Sequence, residues 1–110
     1  ALVGTAADGR TALASLEAAL DTCAYLLREA GYRAPETARA KFEAAGAAGI
    51  IPGALAAALA PAAGLRNRLV HEYDDLDDAK VHASIDDAVR LLPQFAAAVE
   101  AYLDRAGADA

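Results

Sequence analysis

The sequence predicts an all-α protein, an antiparallel bundle of four helices. Three observations support this. Apolar residues recur at spacings of three and four along most of the chain, the repeat of a helix with one buried face. No stretch alternates apolar and polar residues with the period of two that a half-buried strand needs. Glycine and proline fall between the periodic stretches, so the connections are short and neighbouring helices run antiparallel. The chain has 110 residues, enough for one domain over 1–110 and too few for two.

The first helix is expected from about Ala7 to Ala30. Leu13, Leu16, Leu20, Cys23 and Leu27 draw one stripe along it, and Gly31 stops it. The second is expected from Pro35, because a proline N–H is not missed in a first helical turn. Ala38, Phe42 and Ala45 form its inner face, Gly46 and Gly49 end it, and Ile50-Ile51 packs the connection. The third is expected from near Pro52 to about Tyr73, with Leu55, Leu59, Ala62 and Leu69 near one face. Pro61 and Gly64 predict a kink or break near Ala60. The fourth should begin between Asp77 and Ser84 and reach about Asp104. Its stripe is Val81, Ile85, Val89, Leu92, Val99 and Leu103, with a bend at Pro93.

Composition narrows the function. Hydrophobic residues make up 56% of the chain, but much of that is alanine, so helices should approach closely on small side chains. The single cysteine, Cys23, excludes an internal disulfide and fits a reducing, cytoplasmic setting. Cys23 lies on the first apolar stripe and reads as core. No apolar run reaches the ~18–20 residues of a membrane span. The opening residues have neither the basic region nor the apolar stretch of a signal peptide, and they lack methionine, so the chain reads as starting inside a longer protein. The net charge of −6 argues against binding RNA by bulk charge, so any such role needs a local basic site. Charge is unevenly placed: Arg28, Arg33, Arg39 and Lys41 form a basic stretch, and Glu72 to Asp78 an acidic one.

Gly64-Leu-Arg-Asn-Arg-Leu-Val-His-Glu-Tyr73 stands apart from its alanine-rich surroundings. On a helix, with Arg66 at zero, Tyr73 falls near −20°, Asn67 near 100° and His71 near 140°, a sector of roughly 160°. Asn67 and His71 are an i,i+4 pair. A histidine exchanges protons near neutral pH, an arginine holds a phosphate through paired hydrogen bonds, and an asparagine orients imidazole or substrate. These groups suit metal-independent RNA cleavage by the ribose 2′-OH. Such a reaction benefits from an acid as well as a base, and a two-fold dimer would bring a second His71 to the cleft. Taken singly, each residue has a plainer reading. Arg66 and Asn67 read as solvated helix residues, His71 as a residue favoured at a helix C-terminus, and Tyr73 as a cover for the core edge. Asp74, Asp75, Asp77 and Asp78 show no known metal-ligand spacing and read as a solvated turn. His82 reads as a solvated residue near a helix start.

Arg66-Asn-Arg-Leu-Val-His-Glu-Tyr73 resembles the Arg-x4-His-x-Tyr signature of the HepT toxins in the HEPN superfamily. Gly31-Tyr-Arg-Ala-Pro-Glu-Thr37 is similar to the family's Gly-x-x-x-Pro stretch, and Ala48-Gly-Ile-Ile51 to the turn after its second helix. The resemblance covers about Leu13 to Leu103. Pro61 and Pro93 depart from the pattern. Family members carry more helix upstream, so the expectation is a single HEPN-like domain short of an N-terminal helix extension. The resemblance implies the toxin of a type VII-like toxin–antitoxin pair, an endoribonuclease acting on RNA, with tRNA as the plausible class. It implies Arg66 and His71 as the catalytic pair with Asn67 beside them, no cofactor and no metal. It implies a homodimer, or a larger assembly with an antitoxin, a minimal nucleotidyltransferase of the MNT type that transfers AMP to Tyr73. The alternative is a non-catalytic HEPN-type module that binds a nucleotide or a protein.

Overall fold

Local sequence decides most of the helix ends. The computed structural model describes residues 2–64 and 78–108. Among them are four helices: α1 (Leu2–Glu29), α2 (Ala38–Ala47), α3 (Gly53–Ala62) and α4 (Asp78–Ala108). The described residues contain no strand, and the all-α expectation holds.

α1 starts five residues before the expected Ala7 and continues through Gly4 and Gly9, since a glycine within a helix costs only ~1 kcal/mol. It stops as expected at Gly31, whose φ is +92°. The Gly31 N–H donates to the Arg28 carbonyl at 3.0 Å and the Tyr32 N–H to the Leu27 carbonyl at 2.8 Å. This double closure satisfies carbonyls that the helix end would leave bare.

α2 begins at Ala38, three residues after the expected Pro35. Thr37 takes the capping position, its side chain accepting a hydrogen bond from the Ala40 N–H at 3.2 Å. A hydroxyl that satisfies a first-turn N–H is a stronger start than a proline that merely lacks one. Phe42 and Ala45 are buried as expected, and Ile50 and Ile51 are buried in the turn that follows. Gly49 has φ +77°, while Gly46 lies inside α2 rather than ending it.

α3 carries Pro61 in its last turn. The Ala63 N–H is shared between the Leu59 and Ala60 carbonyls, both at 3.2 Å, and the Gly64 N–H reaches Pro61 at 3.2 Å. The helix thus tightens and breaks at Ala63–Gly64, a few residues past the expected Ala60. Leu55, Leu59 and Ala62 are buried as expected. The rest of the expected third helix, Leu69 included, lies outside the described residues.

α4 corrects the predicted stripe. Ile85 is buried, but Val89 is 56% and Leu103 49% exposed; Ala88, Leu91 and Phe95 are buried instead. Leu92, Val99 and Tyr102 pack partly against the core. Ala88 and Val89 follow Ile85 by three and four residues, both helical spacings, and packing rather than spacing selects Ala88. The small Ala88 permits a close approach, and Phe95 meets Phe42 edge to face at 6.1 Å. α4 runs unbroken through Pro93, which is exposed, so the hydrogen bond proline deletes lies where solvent can replace it.

The first turn of α2 lies against the last turn of α3, so these two helices are antiparallel. The start of α3 lies against the later half of α4. Lys41 acts electrostatically on Cys23, which sets the end of α1 beside the start of α2. The 30–37 connection and Gly64 therefore share one end of the bundle.

Candidate active site

Arg66, Asn67, His71 and Tyr73 fall within 65–77, outside the described residues, as do Asp74, Asp75 and Asp77. The described residues show the frame that receives this segment. α3 delivers the chain to Gly64, and α4 takes it up again at Asp78.

Gly64 itself lines a cleft of about 380 Å³ between the start of α2 and the end of α3. Thr37, Ala38 and Arg39 form one wall; Ala60, Pro61, Ala63 and Gly64 form the other. The Thr37 cap builds the first wall and the tightened turn after Pro61 builds the second. Arg39 is held by Glu43, with Nε 2.9 Å from Oε1, and both side chains are exposed. The sequence showed Arg39 only as part of a basic stretch. Its neighbourhood depends on two helices meeting more than twenty residues apart in the chain.

Other chemistry is limited. Cys23 is fully buried, and burial pushes its thiol up to about 12, with Lys41 opposing the shift. Such a thiol stays protonated at neutral pH and is a poor nucleophile. No cluster of three or more metal-ligating side chains occurs among the described residues. His82 and Asp78 lie in α4, the latter as its first residue. No helix among the described residues is long and apolar enough to cross a membrane.

Comparison with known proteins then decides the family. The model of the family described as "Ribonuclease HepT-like" matches residues 7–99. The chain belongs to this HepT-like family. The match runs from α1 into α4 and includes the whole of 65–77. A tRNA nuclease HepT of Aphanizomenon flos-aquae is 47% identical over 49 residues, which cover 44% of this chain and 33% of that protein. A putative RNase of Archaeoglobus fulgidus is 37% identical over 93 residues, covering 84% of this chain and 70% of that protein. The chain thus spans a third of one relative's length and most of the other's. No solved structure gives a significant match.

Proposed function

We propose that this chain is the ribonuclease toxin of a toxin–antitoxin pair and that it cuts RNA with Arg66 and His71. The observation that carries the reading is the HepT-like family match across 7–99, which contains the Arg-x4-His-x-Tyr string. The relatives named as a tRNA nuclease and a putative RNase support an RNA substrate, with tRNA as the favoured class.

In this mechanism His71 takes the proton of a ribose 2′-OH. The freed oxygen attacks the adjacent phosphorus, the bond to the 5′-oxygen breaks, and a 2′,3′-cyclic phosphate remains. A second His71, brought by a two-fold dimer, protonates the leaving 5′-oxygen. Arg66 holds the phosphate and offsets the charge that builds on it, and Asn67 orients the imidazole or the substrate. No step requires a metal. A nucleotidyltransferase antitoxin neutralises the toxin by transferring AMP from ATP to the Tyr73 hydroxyl, two residues from His71; the hydroxyl loses its proton and pyrophosphate leaves. The added nucleotide blocks the cleft, and its negative phosphate repels RNA.

His71→Ala tests the enzyme reading. Losing a general acid–base should lower the cleavage rate by ~100-fold or more, with helical content and assembly unchanged. Cleavage should also persist in EDTA. A His71→Ala protein that cuts RNA at the wild-type rate would sink this reading in favour of a binding module.

A further inference from the structure

Two of the large apolar side chains that the described structure leaves exposed are tyrosines only seven positions apart. Tyr25 is 57% and Tyr32 55% exposed. Tyr25 sits near the end of α1, off its buried stripe of Leu16, Leu20, Cys23 and Leu27. Tyr32 follows Gly31, and its backbone is pinned by the 2.8 Å bond from its N–H to the Leu27 carbonyl. The helix end therefore fixes its backbone, and only the side-chain torsions remain to be ordered by a ligand.

Arginines accompany both rings. Arg28 is three residues from Tyr25, which puts the two on one face of α1. Arg33 follows Tyr32, and both arginines are exposed. Among the described residues neither pairs with a carboxylate, whereas Arg39 is held by Glu43 and Arg90 by Asp87. From Tyr25 to Glu43 four cations face three carboxylates, a local excess of one positive charge in a chain of net −6. This is the same end of the bundle at which α3 releases the chain, at Gly64, into Leu65-Arg66.

An exposed aromatic face beside an unpaired guanidinium suits one class of ligand especially well. Unpaired bases stack on the ring, and the cation neutralises the adjoining phosphate. A duplex hides its base faces and offers no such contact. We propose that Tyr25 and Tyr32, with Arg28 and Arg33, form a platform that stacks unpaired bases of the RNA substrate. The proposal rests on the ribonuclease reading and narrows its substrate to RNA with a single-stranded loop or end.

The test uses a fluorescent 2′-O-methyl oligonucleotide of about a dozen unpaired residues, which lacks the attacking hydroxyl and survives the assay. Tyr25→Ala and Tyr32→Ala should each weaken its binding by roughly 5- to 100-fold, and the Phe variants should stay within about 3-fold of wild type, because a Phe ring still stacks. Arg28→Gln and Arg33→Gln should each flatten the log–log dependence of affinity on salt by about 0.7. All four positions are exposed, so circular dichroism should not change.

Wild-type affinity in both Ala variants would overturn the platform, as would Phe variants no better than Ala. Ala variants that change molar mass in solution but not RNA affinity would overturn it too, by assigning the tyrosines to a contact between protein chains. Cleavage of unmodified RNA, followed in parallel, separates the two readings. If the wild type cleaves and the Ala variants bind as it does, only the platform falls. If the wild type neither binds nor cleaves, the ribonuclease reading falls and takes the platform with it.

Discussion

The α2–α3 pair and the α1–α4 seam are built from similar alanine-rich sequence, yet the first closes tightly at Gly46, opening at the Thr37–Gly64 cleft, while the second stays open. In the first, Gly46 meets Ala56 so closely that a Cβ on the glycine would lie 2.5 Å from the Cβ of Ala56. In the second, α1 and α4 leave a groove of about 630 Å³. Ala18, Ala19 and Thr22 line one side of it; Val89, Leu92 and Val99 line the other. The difference teaches that small residues do not close a helix pair by themselves. They close it where a glycine faces an alanine, and where large groups such as Phe42 fill the flanks. Elsewhere the same alanines leave space, and valine stays wet.

The largest effect should come from Gly46→Val on the closed side. Its side chain would overlap Ala56 and force α2 from α3, at a cost of roughly 3 kcal/mol. Denaturant unfolding should show the lower midpoint, and adding Ala56→Gly should recover part of the loss. A wild-type midpoint for Gly46→Val would mean that the pair is looser than described.

An effect that is smaller over each pH unit separates two adjacent residues, one buried and one lining the groove. Cys23 is buried with its thiol pushed up to about 12, while Thr22 lines the groove. The folded state therefore keeps the Cys23 proton after the unfolded chain has lost it. The resulting stabilisation is complete below pH 9 and declines by about 1.4 kcal/mol per unit as pH rises from 9 towards 12. Unfolding measured against pH should show that slope, and Cys23→Ala should remove it. In the folded protein, iodoacetamide should label a Thr22→Cys, Cys23→Ala variant much faster than it labels Cys23. Equal rates would show that the two faces differ less than their burial implies.

The smallest effect is expected in the seam itself. Val89→Ser should change stability by less than ~0.5 kcal/mol, because Val89 is already largely in water. A loss typical of a core valine, read from the same unfolding curves, would show that the groove is closed in solution.

Particular elements show how far the sequence reached. The stripe of α1 was legible because its buried positions are mostly large, and the Gly31 stop because left-handed backbone favours glycine. The α4 stripe fails at Val89 and Leu103 because Ala88, Leu91 and Phe95 fit the helical repeat equally well, and only packing selects their face. The sequence puts the start of α2 at Pro35, while the Thr37 hydroxyl sets it at Ala38. The candidate catalytic residues were legible as a string of types at fixed spacing, and they lie outside the described residues. The cleft at Thr37–Arg39 and Ala60–Gly64 was not legible, because no local pattern records which helix ends will meet.

By itself the sequence determined the helical class, the positions of most breaks and the family. Each depends on near neighbours in the chain: a 3.6-residue repeat, a glycine or proline, or a short run of functional side chains. Only the tertiary structure decided which side of α4 is buried, where the bundle closes or gapes, and that Tyr25 and Tyr32 stand exposed at and just beyond the end of α1. Those outcomes depend on how closely two distant backbones approach, a distance set jointly by both surfaces and legible in neither alone.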